Sequence, residues 1–406
     1  MIVPSADFRA RLERAAEAGL LGLDARLAGA LFAGERELRA MHYEHWQRMN
    51  VPAHKRFSGW AWRRGSERRD RSCIPVRGKA CREIVRANIS LARPFRGMAG
   101  AQTSLSNPRP QSGCVTVFGG SGFLGRRIVK HLLNHGLVVR SASRHPARAG
   151  RKQAHHELFS AVKADILDRS QIAAAVSDAS TVVNAVSLYS EHGGVTFERV
   201  HVEAASQLAD AARRAGAERY IQISGIGSDS RSRSSYIKAR GQGEEAVDVG
   251  FPGATIVRPA VMTGRDDAFL TTITRLLRIL PAYPLFGNGD TRLQPASVED
   301  VAEAIARIAS AGADARLFEF GGPRVYTYRD LVLEVARLLG IRTRLVPVPF
   351  VFWHALATFG EFVPGMPLTR NQVELMQIDN VADTRLPGLR DLGIEPHDID
   401  QVLRSA

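Results

Sequence analysis

The chain has 406 residues, of which 45% are hydrophobic and 24% are charged, as is usual for a globular protein with a sizeable core. Its apolar runs are too short and too interrupted to span a bilayer, and no secretory leader opens it, so we expect a cytoplasmic protein without a transmembrane helix or signal peptide. Its three cysteines fit a reducing compartment, and their spacing is wrong for a zinc cage, so we expect no metal site.

Residues 1–112 differ in charge from the rest of the chain. They contain 21 of the 55 Lys and Arg residues but only 10 of the 41 Asp and Glu residues. Apolar residues at helical spacing predict a helix within residues 8–48, and a stretch rich in Arg, Ser, Gly and Pro then predicts a disordered linker. We interpret residues 1–112 as a basic extension that either contacts phosphates or a membrane surface, or is simply solvated.

From Cys114 onward, predicted strands alternate with predicted helices. The strands are expected at 114–118, 137–143, 160–165, 181–187, 219–224 and 253–259, and the helices at 125–135, 169–177, 197–215 and 236–249. This alternation predicts an α/β fold over residues 113–265, a doubly wound parallel sheet of the Rossmann type with helices on both faces. After residue 265 the alternation becomes less regular, and residues 266–406 are expected to form a small α+β lid region on the sheet edge that contacts a substrate or partner. Helices are predicted there at 268–280, 298–311, 328–339 and 369–378, and strands at 316–322 and 342–348.

A glycine-rich turn with the spacing G-x-x-G-x-x-G links the first strand to the first helix. Backbone without Cβ atoms lets a diphosphate approach closely, and the free N–H groups at a helix start attract its charge. Repeated strand–helix units follow, which favours a dinucleotide site over a turn that is glycine-rich by coincidence. The residues predicted to bind the cofactor here are Gly119, Gly120, Ser121, Gly122, Phe123, Leu124 and Gly125.

The second strand indicates which dinucleotide is bound. NAD sites usually carry an acidic residue at its end, about 20 residues past the motif, which holds the ribose 2′-OH. Here no Asp or Glu lies between Gly119 and Glu157, and the strand instead carries Arg140 and closes on Arg144. Because guanidinium groups suit a 2′-phosphate, we predict NADP(H) over NAD(H), with Arg144 as the anchor. The alternative is that these arginines are ordinary surface charges.

Two further strand ends are expected to face the cofactor. The third predicted strand ends at an acidic residue that can reach the adenine edge, and the fourth ends where backbone passes close to a ribose. A turn residue or a helix cap is the alternative at both places. The residues concerned are Asp165, Ile166, Ala185, Val186 and Ser187.

Several segments between residues 115 and 403 resemble a known family. Among them are "VFGGSGFLGRRIV", "ADILD", "YIQISGIGSD", "SSYIKARGQGEEAV" and "GNGDTRLQPASVEDVAEAI". They resemble the extended and atypical, epimerase/dehydratase-like branch of the short-chain dehydrogenase/reductase superfamily. Within that branch the chain is similar to the nucleotide-binding accessory subunit of respiratory complex I and its bacterial relatives.

This resemblance implies a weakened catalytic site. Catalytic members of the superfamily use a Tyr-x-x-x-Lys pair, in which the lysine lowers the pKa of the tyrosine and holds the nicotinamide ribose. Tyr236 falls on the tyrosine position, but Arg240 stands where lysine is expected, and Ser224 lies near the usual catalytic Ser or Thr. The resemblance also implies that Arg258 and Pro259 line the nicotinamide side of the cofactor. Since a guanidinium does not replace an ammonium, we expect tight binding with weak or no turnover.

Three functions are compatible with this sequence. The first is a cofactor-holding subunit or assembly factor of respiratory complex I, and the second is an active NADP-dependent oxidoreductase or epimerase on a hydrophobic or quinone-related substrate. The third is an NADP-sensing regulator. We expect respiratory complex subunits or a membrane surface as partners, which would place the chain peripherally on the inner membrane, and a hydrophobic small molecule rather than nucleic acid as a further ligand. Residues 270–287 and 346–370 are the candidate apolar surface, or else ordinary core.

Overall fold

The computed structural model describes residues 113–149, 156–360 and 369–404. The predicted basic extension therefore lies outside the described residues. The elements of the first half are β1 (Cys114–Phe118), α1 (Gly125–Asn134), β2 (Val138–Ser143), α2 (Pro146–Ala149), β3 (Phe159–Lys163), α3 (Arg169–Val176), β4 (Ala179–Asn184), a π-helix (Glu198–Glu203), α4 (Ala204–Arg214), β5 (Arg219–Ile223), α5 (Ser235–Gly250) and β6 (Thr255–Pro259).

The elements of the second half follow the sixth strand directly. They are β7 (Met262–Thr263), α6 (Ala268–Ile279), β8 (Ala282–Phe286), β9 (Arg292–Leu293), β10 (Ala296–Ser297), α7 (Val298–Ala311), β11 (Leu317–Phe320), β12 (Tyr326–Thr327), α8 (Tyr328–Leu338), β13 (Arg344–Val348), α9 (Phe350–Gly360), α10 (Arg370–Leu375), a short 3₁₀ turn (Arg390–Leu392) and α11 (Ile399–Arg404).

A seven-stranded parallel sheet organises the described residues, with the strand order β11-β6-β5-β4-β1-β2-β3. The central strands are buried on both faces: on β4, for example, Val182 packs into one hydrophobic core and the next residue, Val183, into the other. Strand β3 at the edge is partly exposed. Helices α1 and α7 cover the face of Val183, whereas α3 and α4 cover the face of Val182. Successive side chains of a strand point to opposite faces, which is why one strand contributes to both cores. A parallel sheet with helices on both faces confirms the predicted Rossmann-type fold.

Residues after 265 contribute both to this sheet and to a separate cluster. Strand β11 pairs with β6 at the sheet edge. Strands β8 and β13 pair in parallel and pack with α6 and α8 around a third core that includes Tyr283, Leu285 and Leu331. Strand β8 contains a proline at position 284. Pro284 is tolerated since a two-stranded pair leaves one side of each strand without a backbone partner.

Within these described ranges, no helix is both long and apolar enough to cross a bilayer. The same ranges contain no group of three His, Cys, Asp or Glu side chains placed to bind a metal ion.

Candidate functional site

The turn between β1 and α1 is built around glycines that leave its backbone uncovered. Gly119 has a φ of +76°, and a Cβ there would lie 2.9 Å from the carbonyl oxygen of Ala185. A Cβ on Gly125 would overlap the carbonyl group of Gly119, which also accepts the N–H of Gly122 at 2.8 Å. Glycine at both positions therefore keeps the turn tight, and a larger residue would force it open.

The start of α1 offers free hydrogen-bond donors. The helix begins at Gly125, its N-cap residue Leu124 makes no side-chain capping bond, and its first turn has no acidic residue. Among the described residues, nothing accepts a hydrogen bond from the N–H groups of Ser121, Phe123 or Leu124. Unpaired N–H groups at a helix start carry partial positive charge and bind phosphate. This donor set and the uncovered glycines fit the diphosphate of a dinucleotide.

The carboxyl end of β2 lies beside this turn. The strand register places Ala142 next to Phe118, so Ser143 and Arg144 follow at the level of the glycines. Arg144 is exposed and makes no hydrogen bond or ion pair within the described ranges. The hydroxyl of Ser143 is buried and has no partner there either. Both side chains are thus available to a ligand at this edge of the sheet.

Arg140 is held elsewhere. Its Nη1 donates hydrogen bonds to the carbonyl oxygens of Ala175 and Ser177 at 2.8 and 2.6 Å, so its guanidinium closes the carboxyl end of α3. Arg144, unlike Arg140, makes no hydrogen bond or ion pair with the described residues, so it is the better candidate to bind a 2′-phosphate.

The third strand ends at the same edge as β2. Lys163 pairs with Ser143, and Asp165 follows with its carboxylate accepting the N–H of Leu167 at 3.0 Å. Ile166 beside it is buried. One carboxylate oxygen of Asp165 is therefore engaged in a local turn, which also fixes the direction of the side chain.

The residues after β4 connect the glycine turn to the Tyr236 site. The N–H of Ala185 donates to the carbonyl oxygen of Phe118 at 2.9 Å, and Val186 donates to the side chain of Asn184 at 3.2 Å. The hydroxyl of Ser187 then accepts a hydrogen bond from Arg240, 3.1 Å away. A hydrogen bond thus joins the segment predicted to bind the cofactor to the predicted catalytic residues.

Tyr236 and Arg240 form a closed pair on the first turns of α5. Nη1 of Arg240 donates to the hydroxyl of Tyr236 at 3.0 Å and to Ser187, while Nε of Arg240 is buried without a partner in the described ranges. Burial raises the pKa of Tyr236 to about 12, although the charge of Arg240 acts in the opposite direction. Lys238 is exposed and lies on another face of the helix. The phenol is therefore a weak acid that stays protonated at neutral pH.

Aromatic rings enclose Tyr236. Tyr189 stacks on it with ring centroids 5.9 Å apart, and Phe197 and His201 meet it edge-on at 5.3 and 5.7 Å. His201 belongs to the π-helix, and burial lowers its pKa to about 3, so it is neutral at physiological pH. Its Nε2 lies 3.1 Å from the carbonyl oxygen of Leu188. We did not expect this histidine at the site, because nothing in the sequence places the π-helix against α5.

Ser224 and Arg258 have partners other than Tyr236. The buried hydroxyl of Ser224 lies 2.9 Å from that of Ser228. Arg258 donates to Glu244 through Nε and Nη2 at 2.9 and 2.5 Å and to Glu319 through Nη1 at 3.4 Å. The hydrogen bonds that Glu244 accepts are the main cause that raises the pKa of Arg258. A guanidinium held by two carboxylates is not offered to a cofactor phosphate. Its cofactor role, like that of Pro259 at the end of β6, stays a prediction.

The fold and the glycine turn define a nucleotide-binding protein of the Rossmann class. Residues 119–312 match the protein family described as NAD(P)H-binding. The solved structure of an NADPH-dependent quinone oxidoreductase from Escherichia coli superimposes with a TM-score of 0.58 over 72% of this chain and 99% of that one, at 18% identity. A similarity at this level of identity supports the fold alone.

Curated relatives identify the family within this class. NADH dehydrogenase [ubiquinone] 1 alpha subcomplex subunit 9 of Rattus norvegicus is 34% identical over 298 residues, which cover 70% of this chain and 77% of that protein. The Arabidopsis thaliana protein of the same name is 32% identical over 306 residues, covering 70% and 75%. The chain therefore belongs to the family of this subunit, which confirms the predicted resemblance to the accessory subunit of complex I.

Proposed function

We propose that this chain holds NADP(H) as a resident cofactor, as a subunit or assembly factor of a respiratory complex of the NADH:quinone type, with weak or no turnover. One observation carries this function: the dinucleotide turn is intact, whereas the hydroxyl of Tyr236 is buried and bonded to Arg240. The names of the relatives, which are NADH dehydrogenase subunits, support the partner.

The pKa of Tyr236 limits the chemistry. A general acid or base works best when its pKa lies near the working pH. With a pKa of about 12, only about one tyrosine in 10⁵ is ionised at pH 7. The phenolate needed as a base is thus nearly absent, and the protonated form is a poorer acid than free tyrosine. Dinucleotide binding at the glycine turn does not depend on the Tyr236 hydroxyl, so the chain can bind the cofactor without turnover.

The preference for NADP(H) is part of the same proposal. Arg144 is unpaired at the end of β2, and the buried hydroxyl of Ser143 beside it has no partner in the described ranges. A guanidinium and a hydroxyl at this place suit a ribose that carries a 2′-phosphate. We also propose that residues 113–265 bind the cofactor, while residues 266–406 contact the partner and place the chain peripherally at the respiratory membrane.

The bound nucleotide tests the proposed function directly. The purified full-length chain is denatured, and the released nucleotide is identified by chromatography and mass spectrometry. We expect close to one NADPH or NADP⁺ per chain, and we expect the bound NADPH to survive added small carbonyl compounds. Steady oxidation of NADPH with a quinone precursor or a sugar nucleotide would contradict weak turnover. A chain that binds neither NADPH nor NADP⁺ in calorimetry would contradict the whole proposal.

An active NADP-dependent oxidoreductase is the second candidate. The observation in its favour is that the polar groups of Tyr236, Ser187 and Arg240 converge beside the predicted cofactor segment, and Tyr189, which stacks on Tyr236, is 57% exposed. Tyr236→Phe separates the two functions. If hydride transfer exists and disappears in this variant while NADPH still binds, the chain is an enzyme; if the variant and the natural chain oxidise NADPH equally slowly, Tyr236 has no catalytic role.

A further inference from the structure

Helix α9 presents an apolar face that no described residue covers. Val351 is 76% exposed, Phe352 41% and Leu356 43%, and Ala355 between them is exposed as well. Residues at positions i, i+1, i+4 and i+5 lie on one face of a helix, so these four form a continuous apolar strip. Exposed apolar residues that are clustered in this way mark an interaction surface, unlike those scattered singly.

The other face of α9 is fixed to the body of the protein. Nε1 of Trp353 donates to the carbonyl oxygen of Leu285 at 3.0 Å, and its ring lies 4.3 Å from that of Phe286. Ala357 is fully buried one turn further along. These contacts hold the helix against β8, so the apolar strip faces outward in a defined direction.

The two segments that support α9 are basic and contain no acidic residue. Residues 268–289 and 335–360 carry five arginines and no Asp or Glu. These segments lie side by side, because β8 and β13 pair in parallel with Ala282 beside Arg344. Four of the arginines make no ion pair within the described ranges, whereas Arg337 binds Glu334. The unpaired four are Arg275, Arg278, Arg342 and Arg344.

We propose that the apolar strip of α9 docks this chain on an anionic bilayer surface. The strip enters the boundary between headgroups and acyl chains, and the unpaired arginines attract the lipid phosphates. With 11 residues, α9 is too short to span the bilayer and lies on it instead. Asp290 and Glu334 border the two paired segments, but within the segments the charged side chains are arginines, and this excess of cations suits an anionic surface. This docking rests on the peripheral membrane placement in the proposed function, but it does not depend on the bound nucleotide.

Vesicle flotation of the full-length chain tests this surface. Vesicles of phosphatidylcholine alone are compared with vesicles that also contain phosphatidylglycerol, at low and at high salt. We expect binding to the anionic vesicles that weakens as salt rises. Replacing both Phe352 and Leu356 with Glu should reduce this binding at least about tenfold, because burying even one such apolar side chain raises the affinity by about that factor. Val249→Glu, at a valine 82% exposed on α5, is the matched control and should bind unchanged.

The arginines are tested separately. Replacing Arg342 and Arg344 with Glu should weaken binding to anionic vesicles and remove most of its salt dependence, because these side chains supply the electrostatic part. Arg169→Glu, at an exposed arginine outside the two segments, is the control. NADPH binding is measured for every variant, and its retention shows that the variant is folded. If the Phe352 and Leu356 double variant lost NADPH binding, it would not be folded, and vesicle binding by the arginine variant would decide whether this surface docks on the bilayer.

Three results would overturn the docking surface. One is that the natural chain does not bind anionic vesicles at low salt, and another is that the Phe352 and Leu356 double variant binds them as well as the natural chain. The second result would place the lipid contact elsewhere, for example in residues 1–112. The third is that the apolar strip is needed for a protein complex or a dimer but not for vesicle binding. Loss of NADPH binding by the natural chain would instead contradict the proposed function and leave this docking unaffected.

Discussion

Replacing Arg144 with Ala tests whether this side chain selects the cofactor. Arg144 follows β2 at the level of the glycine turn, is exposed, and makes no hydrogen bond or ion pair with any described residue. Its removal therefore breaks no contact that holds the fold together. We expect the stability of the unliganded chain to stay the same and the affinity for NADPH to fall, with little change for NADH.

The expected size of this change follows from the exposure of Arg144. A hydrogen bond between charged groups contributes about 1.5–3 kcal/mol, and solvent screening of an exposed guanidinium favours the lower end of that range. About 1.5 kcal/mol corresponds to a loss of about tenfold in affinity for NADPH. The ratio of NADPH to NADH affinity should fall by the same factor, and the difference should shrink as salt is added.

Arg140 provides the matched control. It lies on the same strand, but its guanidinium donates to the carbonyl oxygens of Ala175 and Ser177. Arg140→Ala should therefore lower the free energy of unfolding by about 1–2 kcal/mol and leave the nucleotide preference unchanged. Calorimetric titration with NADPH and NADH, together with urea denaturation, separates the two variants. An unchanged preference in Arg144→Ala, or an equal loss of preference in Arg140→Ala, would refute this reasoning.

Three other outcomes are expected. Gly125→Val places side-chain atoms against the carbonyl of the first glycine, so calorimetry should find NADPH affinity reduced at least about tenfold; unchanged affinity would mean that the turn is not the diphosphate site. Tyr236→Phe leaves buried Arg240 with one acceptor fewer, which should lower the free energy of unfolding by about 1–2 kcal/mol in urea while NADPH still binds. A loss of NADPH binding would place the tyrosine in the cofactor site. The bond from His131 is the largest cause that lowers the pKa of Glu299 from 4.5 to about 2. The ionised Glu299 stabilises the fold fully above pH 4.5, and this stabilisation is lost as the pH falls toward 2. His131→Ala should therefore flatten the dependence of the free energy of unfolding on pH between these values, which urea denaturation at each pH measures. An equally steep loss in the variant would exclude this ion pair as its cause.

The proposed function requires a chain that keeps a cofactor site while its catalytic site is weakened, and the structure gives a physical basis for this. The diphosphate site uses backbone groups, which depend on glycines and on a helix start rather than on reactive side chains. The tyrosine site depends on solvent access and on the charge beside the phenol. Here Tyr189, Phe197 and His201 surround Tyr236, so burial outweighs the nearby cation in setting its pKa. Under the proposed function, enclosing this one ring weakens acid–base chemistry and leaves the backbone groups of the glycine turn unchanged.

Local features of the sequence determined the elements and the cofactor turn. Helix α7 was predicted at residues 298–311 and is observed as Val298–Ala311, because its apolar spacing and its Ser297 cap are readable within the segment itself. The glycine turn was predicted for the same reason: backbone conformations that need glycine are set by neighbouring residues. The alternation of strands and helices then left the parallel sheet as the consistent arrangement.

Only the tertiary structure decided which polar groups are free and which surfaces are covered. Arg140 and Arg144 look alike in the sequence, but the end of α3 engages one and leaves the other unpaired. Arg258 binds Glu244 and also Glu319, which is 61 residues away in the chain, and His201 contacts Tyr236 from a different helix. Hydrophobic residues of α9 read equally well as core or as surface. Pairing and burial depend on residues that are distant in the chain, so neither can be read from a local pattern.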